Sequence, residues 1–322
     1  MRAAGDRRNG CPTEWSRTYA SRAFRPVTAG VELGKDPAFP DVIDDAARAL
    51  RRSRAPAWLV FVAKFGYVAR GLLYLIVGGL ALLRALGLGG ATADSRDALI
   101  HLLGSPAGTA TLWLLAAGLI GYAVWRLCQA ILDVDRRGTG WRATGQRAGF
   151  FVSALSHTGL AIFAAYLASH PFHSGGAAGQ SEKVFAATAL GWPGGPWWII
   201  AGGCGVAAAG VAHLLASLGR RYSDRFVVSP AAHRWLAPIC KFGLVSRGLA
   251  LILVGALLAW AGLSHDPSEA GGLREVLQHL ARQRFGMVLL GTMGCGLMAF
   301  GLYSVFEGCF RRVDGPPMAK PS

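Results

Sequence analysis

The fold is decided by the stretch Lys64-Phe65-Gly66-Tyr67-Val68-Ala69-Arg70-Gly71, which recurs 177 residues later as Lys241-Phe242-Gly243-Leu244-Val245-Ser246-Arg247-Gly248. Six of the eight positions are identical. Each copy opens a long apolar run, and a second apolar run follows it. Repeated pairs of apolar segments of this length are typical of helices that cross a bilayer. The sequence therefore predicts an all-α integral membrane protein built from repeated helix pairs.

Composition supports this class of protein. Of 322 residues, 52% are hydrophobic and only 16% are charged, whereas soluble chains carry about a quarter charged residues. The net charge of +15 is also typical of nucleic-acid binding. The basic residues cluster between the apolar runs, however, where membrane topology requires them. We therefore expect no nucleic-acid partner.

Six apolar runs reach the length of roughly 20 residues that a membrane span needs. The predicted spans are residues 58–83, 108–131, 148–168, 196–217, 240–262 and 286–308. The segments outside the spans alternate in charge, with 23 Lys and Arg residues in one set and 6 in the other. The positive-inside rule assigns the basic set, which contains both termini, to the cytoplasm.

The terminal segments differ from the spans. Residues 1–56 are polar and contain no signal-peptide-like apolar segment, so we expect a largely disordered cytoplasmic tail. Within it, residues 41–54 fit either a short amphipathic helix on the membrane surface or a solvated linker. Residues 311–322 contain three prolines and are predicted to form a frayed cytoplasmic tail.

The second helices of the pairs also repeat. In each of them ten residues separate two glycines: Gly108 and Gly118, Gly195 and Gly205, Gly286 and Gly296. The predicted repeats are residues 57–133, 145–218 and 238–310. Because each repeat has two spans, successive copies keep the same orientation. The sequence thus predicts three parallel repeats in a compact six-helix ring or bundle with approximate threefold symmetry.

The middle repeat is the most diverged, and two registers fit it. In the favoured register, Ser153 replaces Arg70. The same register puts His157 at the position of Tyr74. In the other register, which preserves the loop length, His157 lies opposite Arg70.

Two further patterns predict packing. Short amphipathic segments precede each second span, in residues 98–103, 273–280 and, more weakly, 181–190. They are too short to cross and are predicted to lie flat at the outer surface, with Asp94 or Ser95 as the cap of the first. On the fourth span, the four-residue spacing of Ala201, Gly205 and Ala209 predicts a face that packs closely on another helix.

The first-helix pattern A-[KR]-x-G-x-x-[AS]-R-G-x-x-[YL] is carried by Ala63, Lys64, Gly66, Ala69, Arg70, Gly71 and Tyr74. The third repeat has Lys241, Gly243, Ser246, Arg247 and Gly248, with Leu251 at the tyrosine position. This motif and the three paired spans resemble bacterial proteins of the domain of unknown function 1206. The resemblance covers about residues 57–312. It implies an integral protein of the bacterial plasma membrane and supplies no established activity.

The candidate site is a set of charges in or beside the spans: Lys64, Arg70, Arg126, Lys241, Arg247 and Glu307. All fall in the half of the bundle predicted to be cytoplasmic. Glu307 is the only acid within a predicted span, so we expect it to be the counter-ion of Arg70 or Arg247. The arginines either tie helix pairs together or hold an anion or a lipid headgroup.

The remaining residues suggest no other chemistry. The sequence contains no catalytic constellation or nucleotide fingerprint, so we do not expect an enzyme. The six cysteines form no C-x-x-C pair, and His170 with His173 makes a poor metal site, so we expect no cofactor or metal. A structural, regulatory or lipid-binding membrane protein is the leading expectation, with membrane lipids, including anionic headgroups at the inner face, as partners. The alternative is a transporter or channel for an anionic solute that uses Arg70 and Arg247. The sequence does not determine the oligomeric state.

Overall fold

The computed structural model describes residues 57–310 apart from residues 106, 135–137, 139, 171–180 and 220–229. The described part contains nine α-helices and no strand, and it falls within one unit of the chain, residues 43–322. The expected tails, residues 1–56 and 311–322, lie outside the described residues, as does His173.

Six of the helices are long and apolar enough to cross a membrane. They are α1 (Ala57–Ala85), α3 (Gly108–Ile131), α4 (Trp141–Ser169), α6 (Gly195–Leu218), α7 (Pro230–Ser264) and α9 (Gly286–Phe310). Each contains one predicted span, which confirms the all-α, six-helix class and indicates a multi-pass membrane protein. Helices α4 and α7 begin before their predicted spans, because backbone hydrogen bonds continue a helix through polar residues beyond its apolar part.

The predicted short segments are also helical. They form α2 (Ser95–Leu103), α5 (Ser181–Leu190) and α8 (Leu273–Ala281). Asp94 caps α2, since its carboxylate accepts from the backbone N–H of Asp97 at 2.9 Å. Helices α2 and α8 are joined by an ion pair in which Arg274 Nε lies 3.0 Å from Asp97 Oδ2.

The most extensive packing joins the second helix of one repeat to the first helix of the next. Helix α9 packs on α1, α6 on α7 and α3 on α4. A Cβ added at Gly78 would lie 2.6 Å from the Gly294 carbonyl oxygen, and one at Gly255 would lie 2.5 Å from that of Gly203. Small residues at seven-residue intervals permit this approach, since seven residues return a helix to nearly the same face. At the third such interface the buried residues at this interval are Ala116, Ala123, Ala130, Ala154, Ala161 and Ala168.

Packing within a repeat is less extensive and differs between the copies. A Cβ at Gly66 would lie 2.4 Å from the Tyr122 backbone nitrogen, and one at Gly243 would lie 2.4 Å from that of Phe300. These are equivalent positions, so the first and third repeats build the same contact. Helices α4 and α6 of the middle repeat form no such interface. The six helices therefore make a ring of three equivalent pairs with an opening between α4 and α6.

The exposed face of α6 corrects one prediction. Ala201, Gly205 and Ala209, expected to pack closely, are exposed, and a Cβ at Gly205 would meet no atom within 4 Å in the part of the chain that the structure describes. Helix α6 packs on α7 through Gly203 and Gly210 instead. The seven-residue spacing of those two glycines matches that of Gly248 and Gly255 on α7. The four-residue spacing of Ala201, Gly205 and Ala209 does not match it.

Candidate functional site

Arg70 lies inside the helix bundle and is only 6% exposed. Its guanidinium donates to the Tyr122 hydroxyl of α3 and, through Nη2, to Ser304 Oγ of α9 at 3.0 Å. The group also lies 4.8 Å from the centre of the Phe300 ring. Its Nε is buried and has no acceptor among the described residues. Arg70 therefore ties three helices together and retains one nitrogen, Nε, without an acceptor among the described residues.

Tyr122 brings a second arginine into contact with this group. Arg126, one turn further along α3, donates from Nε to the same hydroxyl at 2.7 Å and from Nη1 to Gln129 Oε1 at 3.0 Å. Its Cζ lies 4.9 Å from the centre of the Phe150 ring on α4. Two guanidinium groups thus converge on one hydroxyl oxygen, which neutralises neither of them.

Arg247 holds the position of Arg70 in the third repeat but lacks its hydrogen bonds. Its Cζ lies 4.9 Å from the centre of the Tyr74 ring and 5.9 Å from that of Phe300. Within the part of the chain that the structure describes, Arg247 has no hydrogen-bond or ion-pair partner. A cation over an aromatic ring gains about 0.5–2 kcal/mol, and a hydrogen bond to a charged group about 1.5–3 kcal/mol. The donors of Arg247 are therefore available to an anion.

Glu307 supplies the negative charge of this layer. It is 6% exposed on α9, accepts a hydrogen bond from the Tyr303 hydroxyl and attracts Arg70 and Arg126 electrostatically. The direct ion pair expected with Arg70 or Arg247 is not formed among the described residues, because Arg70 is turned toward two hydroxyl groups. Among the described residues of this layer, three guanidinium groups and one carboxylate leave an excess of positive charge.

The three repeats contribute equivalent positions to this layer. Arg70 contacts Tyr122 of its own repeat and Ser304 of the third repeat. Arg247 likewise lies near Phe300 of its own repeat and interacts electrostatically with His213 of the middle repeat. The equivalent sets are Arg70, Ser153 and Arg247; Tyr122, Ala209 and Phe300; and Arg126, His213 and Ser304. The middle repeat therefore lacks both the guanidinium and the aromatic ring of the other two. We call the layer formed by these nine positions and Glu307 the arginine cluster.

Aromatic contacts distinguish the two registers of the middle repeat. The ring centres of Tyr74 and Phe300 are 5.0 Å apart, and those of His157 and Tyr122 are 4.6 Å apart. The two pairs join equivalent helices, which fits the favoured register, with His157 at the position of Tyr74. Arg70 also lies 4.8 Å from the Phe300 ring centre, so this contact alone does not decide between the registers. The packing stripe does, because only the favoured register aligns Gly71 and Gly78 with the buried Ala154 and Ala161.

The other candidate residues lie outside the arginine cluster. Lys64 is half-buried and Lys241 is exposed, and neither contributes to the hydrogen bonds of the cluster arginines. The motif glycines are packing positions, because a Cβ at any of them would lie within 3.0 Å of a neighbouring helix: Gly66, Gly71, Gly243 and Gly248. Tyr67 packs edge-on against Tyr122, with ring centres 5.2 Å apart.

Sequence reasoning missed the hydroxyls that hold the arginines. Tyr122 and Ser304 were not singled out, although Tyr122 and Phe300 each follow a repeated glycine by four residues. That shared spacing is the signal that marks the aromatic position. Residues 57–310, with the gaps given above, contain no group of three or more His, Cys, Asp or Glu side chains suited to a metal ion. Guanidinium groups pair readily with phosphate, so the arrangement suits an oxyanion.

Comparison with known proteins gives a family. The family model described as Domain of Unknown Function (DUF1206) matches residues 65–133, 148–220 and 242–311, which together exceed half of the chain. The uncharacterized protein YxxB of Bacillus subtilis (strain 168) is 28% identical over 262 residues, 80% of this chain and 92% of that protein. No solved structure matches.

Proposed function

The chain belongs to the family of the domain of unknown function 1206, and we propose that its three repeats together bind a phosphate-type anion inside the helix bundle. Each repeat supplies part of the arginine cluster, and no single repeat contains all of its groups. The charge balance supports an anionic ligand, because three guanidinium groups are opposed by one carboxylate.

Arg247 is the observation that carries this proposal. A cation withdrawn from water is costly unless it finds a partner, and intramembrane charge is a marker of function for this reason. The Arg247 guanidinium lies near the rings of Tyr74 and Phe300, and it has no hydrogen-bond or ion-pair partner among the described residues. A phosphate or phosphate ester would supply the missing acceptor oxygens.

Location is part of the proposal. The excess of Lys and Arg outside the spans, 23 against 6, supports a plasma-membrane protein with both termini in the cytoplasm. In that orientation the arginine cluster lies in the cytoplasmic half of the bundle. Both an anionic lipid headgroup of the inner leaflet and a cytoplasmic phosphate compound carry the required chemistry.

Arg70 supports a structural role beside the binding role. Its hydrogen bonds to α3 and α9 make it a tie between helices, whereas Arg247 has no such bonds among the described residues. We therefore assign the main ligand contacts to Arg247 and Arg126. Arg70 holds the helices in position, and its Nε offers the ligand one further donor. A transporter for an anionic solute would use the same cluster. A transporter would differ from a binding protein by carrying inorganic phosphate across the membrane of proteoliposomes.

The test is equilibrium binding to the full chain in a zwitterionic detergent. Native mass spectrometry measures retention of phosphatidylglycerol and of phosphatidylcholine, and calorimetry measures inorganic phosphate. We expect preference for the anions and at least about tenfold weaker binding by Arg247→Gln, the loss of one charged hydrogen bond. The control is Arg84→Gln, which changes an exposed arginine at the other end of α1. Equal binding by wild type and Arg247→Gln would contradict the proposal.

A further inference from the structure

The middle repeat exposes positions that the other two repeats bury. Gly149 and Val152 on α4, with Gly205, Ala208 and Ala209 on α6, are all exposed. Their equivalents are all buried: Gly66, Ala69, Gly118, Gly121 and Tyr122 in the first repeat, and Gly243, Ser246, Gly296, Ala299 and Phe300 in the third. We call the space between these five residues the lateral opening.

Contacts at equivalent glycines show the same difference. A Cβ at Gly118 would lie 2.3 Å from Ala69 Cβ, and one at Gly296 would lie 2.3 Å from Ser246 Cβ. For a Cβ added at Gly149 or at Gly205, no neighbouring atom of the described residues lies within 4 Å. The helices of the outer repeats therefore close on each other at this level, and α4 and α6 do not.

The lateral opening lies at the depth of the arginine cluster. Ala209 lines the opening on α6, and its equivalent in the first repeat is Tyr122, which belongs to the arginine cluster. Arg126 reaches α4 through Phe150, and Arg247 acts electrostatically on His213 of α6. One arginine is thus associated with each wall, and the missing ring and guanidinium of the middle repeat leave space between them.

An independent observation at the cluster points to a ligand. Arg70 is more than nine-tenths buried, yet its Nε lacks an acceptor among the described residues. Arg70, Arg126 and Arg247 all act electrostatically on His157 of α4, so the three guanidinium groups lie within interaction range of that helix.

We propose that the lateral opening admits one anionic phospholipid from the surrounding bilayer, with its phosphate at Arg126 and Arg247 and an acyl chain between α4 and α6. The inference rests on the proposed function and names the ligand class for that site. Glycine, alanine and valine line the walls, so an acyl chain meets only apolar surface there. A soluble anion needs no apolar slot, whereas a lipid needs both the slot and the cationic end.

The experiment fills the opening and leaves the arginines unchanged. Gly205→Phe places a ring between α4 and α6. Gly79→Phe is the matched control, because a Cβ at Gly79 on α1 also meets no atom of the described residues within 4 Å. Native mass spectrometry of the full chain measures phosphatidylglycerol binding, and calorimetry measures inorganic phosphate. We expect Gly205→Phe to weaken phosphatidylglycerol binding at least about tenfold, with phosphate affinity within about twofold of wild type. Gly79→Phe should match wild type in both.

The outcomes separate the two proposals. Normal phosphatidylglycerol binding by Gly205→Phe, with binding still lost in Arg247→Gln, overturns the lateral opening and leaves the anion site standing. Failure of wild type to bind either ligand overturns both. A dimer in the mass spectrum that Gly205→Phe dissociates would assign the opening to a second copy and overturn the lipid assignment. Should Gly205→Phe fail to fold, Gly149→Phe on the facing wall makes the same test.

Discussion

At the level of single residues, the repeated glycines divide into those that another helix contacts and those that face open space. Gly66→Ala places a methyl group 2.4 Å from the Tyr122 backbone nitrogen and must push α1 away from α3. We expect it to lower the free energy of unfolding by about 1–3 kcal/mol, the usual cost of overpacking. Denaturant unfolding of the detergent-solubilised protein measures this loss.

Gly149→Ala is the control for Gly66→Ala, since it is the equivalent position of the middle repeat and has nothing within 4 Å. It should not lower the free energy of unfolding, and the higher helix propensity of alanine should raise it by up to about 1 kcal/mol. A loss as large as that of Gly66→Ala would mean that α4 and α6 are in contact in solution.

The buried carboxylate of Glu307 is also expected to contribute to stability. Glu307→Gln removes the negative charge that attracts Arg70 and Arg126 inside the bundle. We expect a loss of about 1–3 kcal/mol in the free energy of unfolding, the range for an interaction that involves a charged buried group. Lys64→Gln, at a half-buried position outside the arginine cluster, should cost less. Similar, negligible losses for both variants would show that Glu307 does not stabilise the cluster.

At the level of elements, the pairing of α2 with α8 introduces a pH dependence. Burial raises the pKa of the Asp97 carboxyl, and the charge of Arg274 opposes that rise only in part. The folded protein then binds this proton more readily than the unfolded chain, whose aspartate pKa is about 3.9. The contribution of Asp97 to stability is therefore present below that value and is lost as the pH rises through the folded-state pKa.

Thermal unfolding measures this contribution as the difference in stability between wild type and Asp97→Asn. The measurement runs from about pH 3 to about pH 7, a range that begins below the usual aspartate pKa. The stability of wild type relative to Asp97→Asn should fall as the pH rises. Asp266→Asn is the control of opposite sign, because hydrogen bonds from Ser268 lower the pKa of Asp266. A flat difference for Asp97→Asn would show that its carboxyl is solvated in both states.

At the level of the whole molecule, three parallel helix pairs require the loops to alternate sides. Reporter fusions after residues 90, 175 and 270 should report the outer side, and fusions after residues 140, 230 and 315 the cytoplasm. The physical reason is the excess of Lys and Arg in the second set of segments. An inverted pattern would place the arginine cluster in the outer half and remove inner-leaflet lipids as its ligands.

Much of the fold follows from local properties of the sequence. Span length, the 177-residue recurrence and the ten-residue glycine spacing predict six helices in three repeats, because apolar length and periodicity act within one segment. The arginines were also identifiable from the sequence, because a charged residue inside an apolar run can be recognised without knowing the fold. Ala201, Gly205 and Ala209 were misread, because a small-residue face becomes a packing face only where a matching helix meets it.

The sequence by itself determined that this protein is a bundle of three repeated helix pairs with basic residues inside its spans. Only the tertiary structure decided what each arginine meets: the partners of Arg70 are 52 and 234 residues away along the chain. It also decided that the middle pair stays apart while the outer pairs close. These features depend on which helices become neighbours around the ring, and that choice is made by backbone packing at glycine and alanine stripes on separate helices.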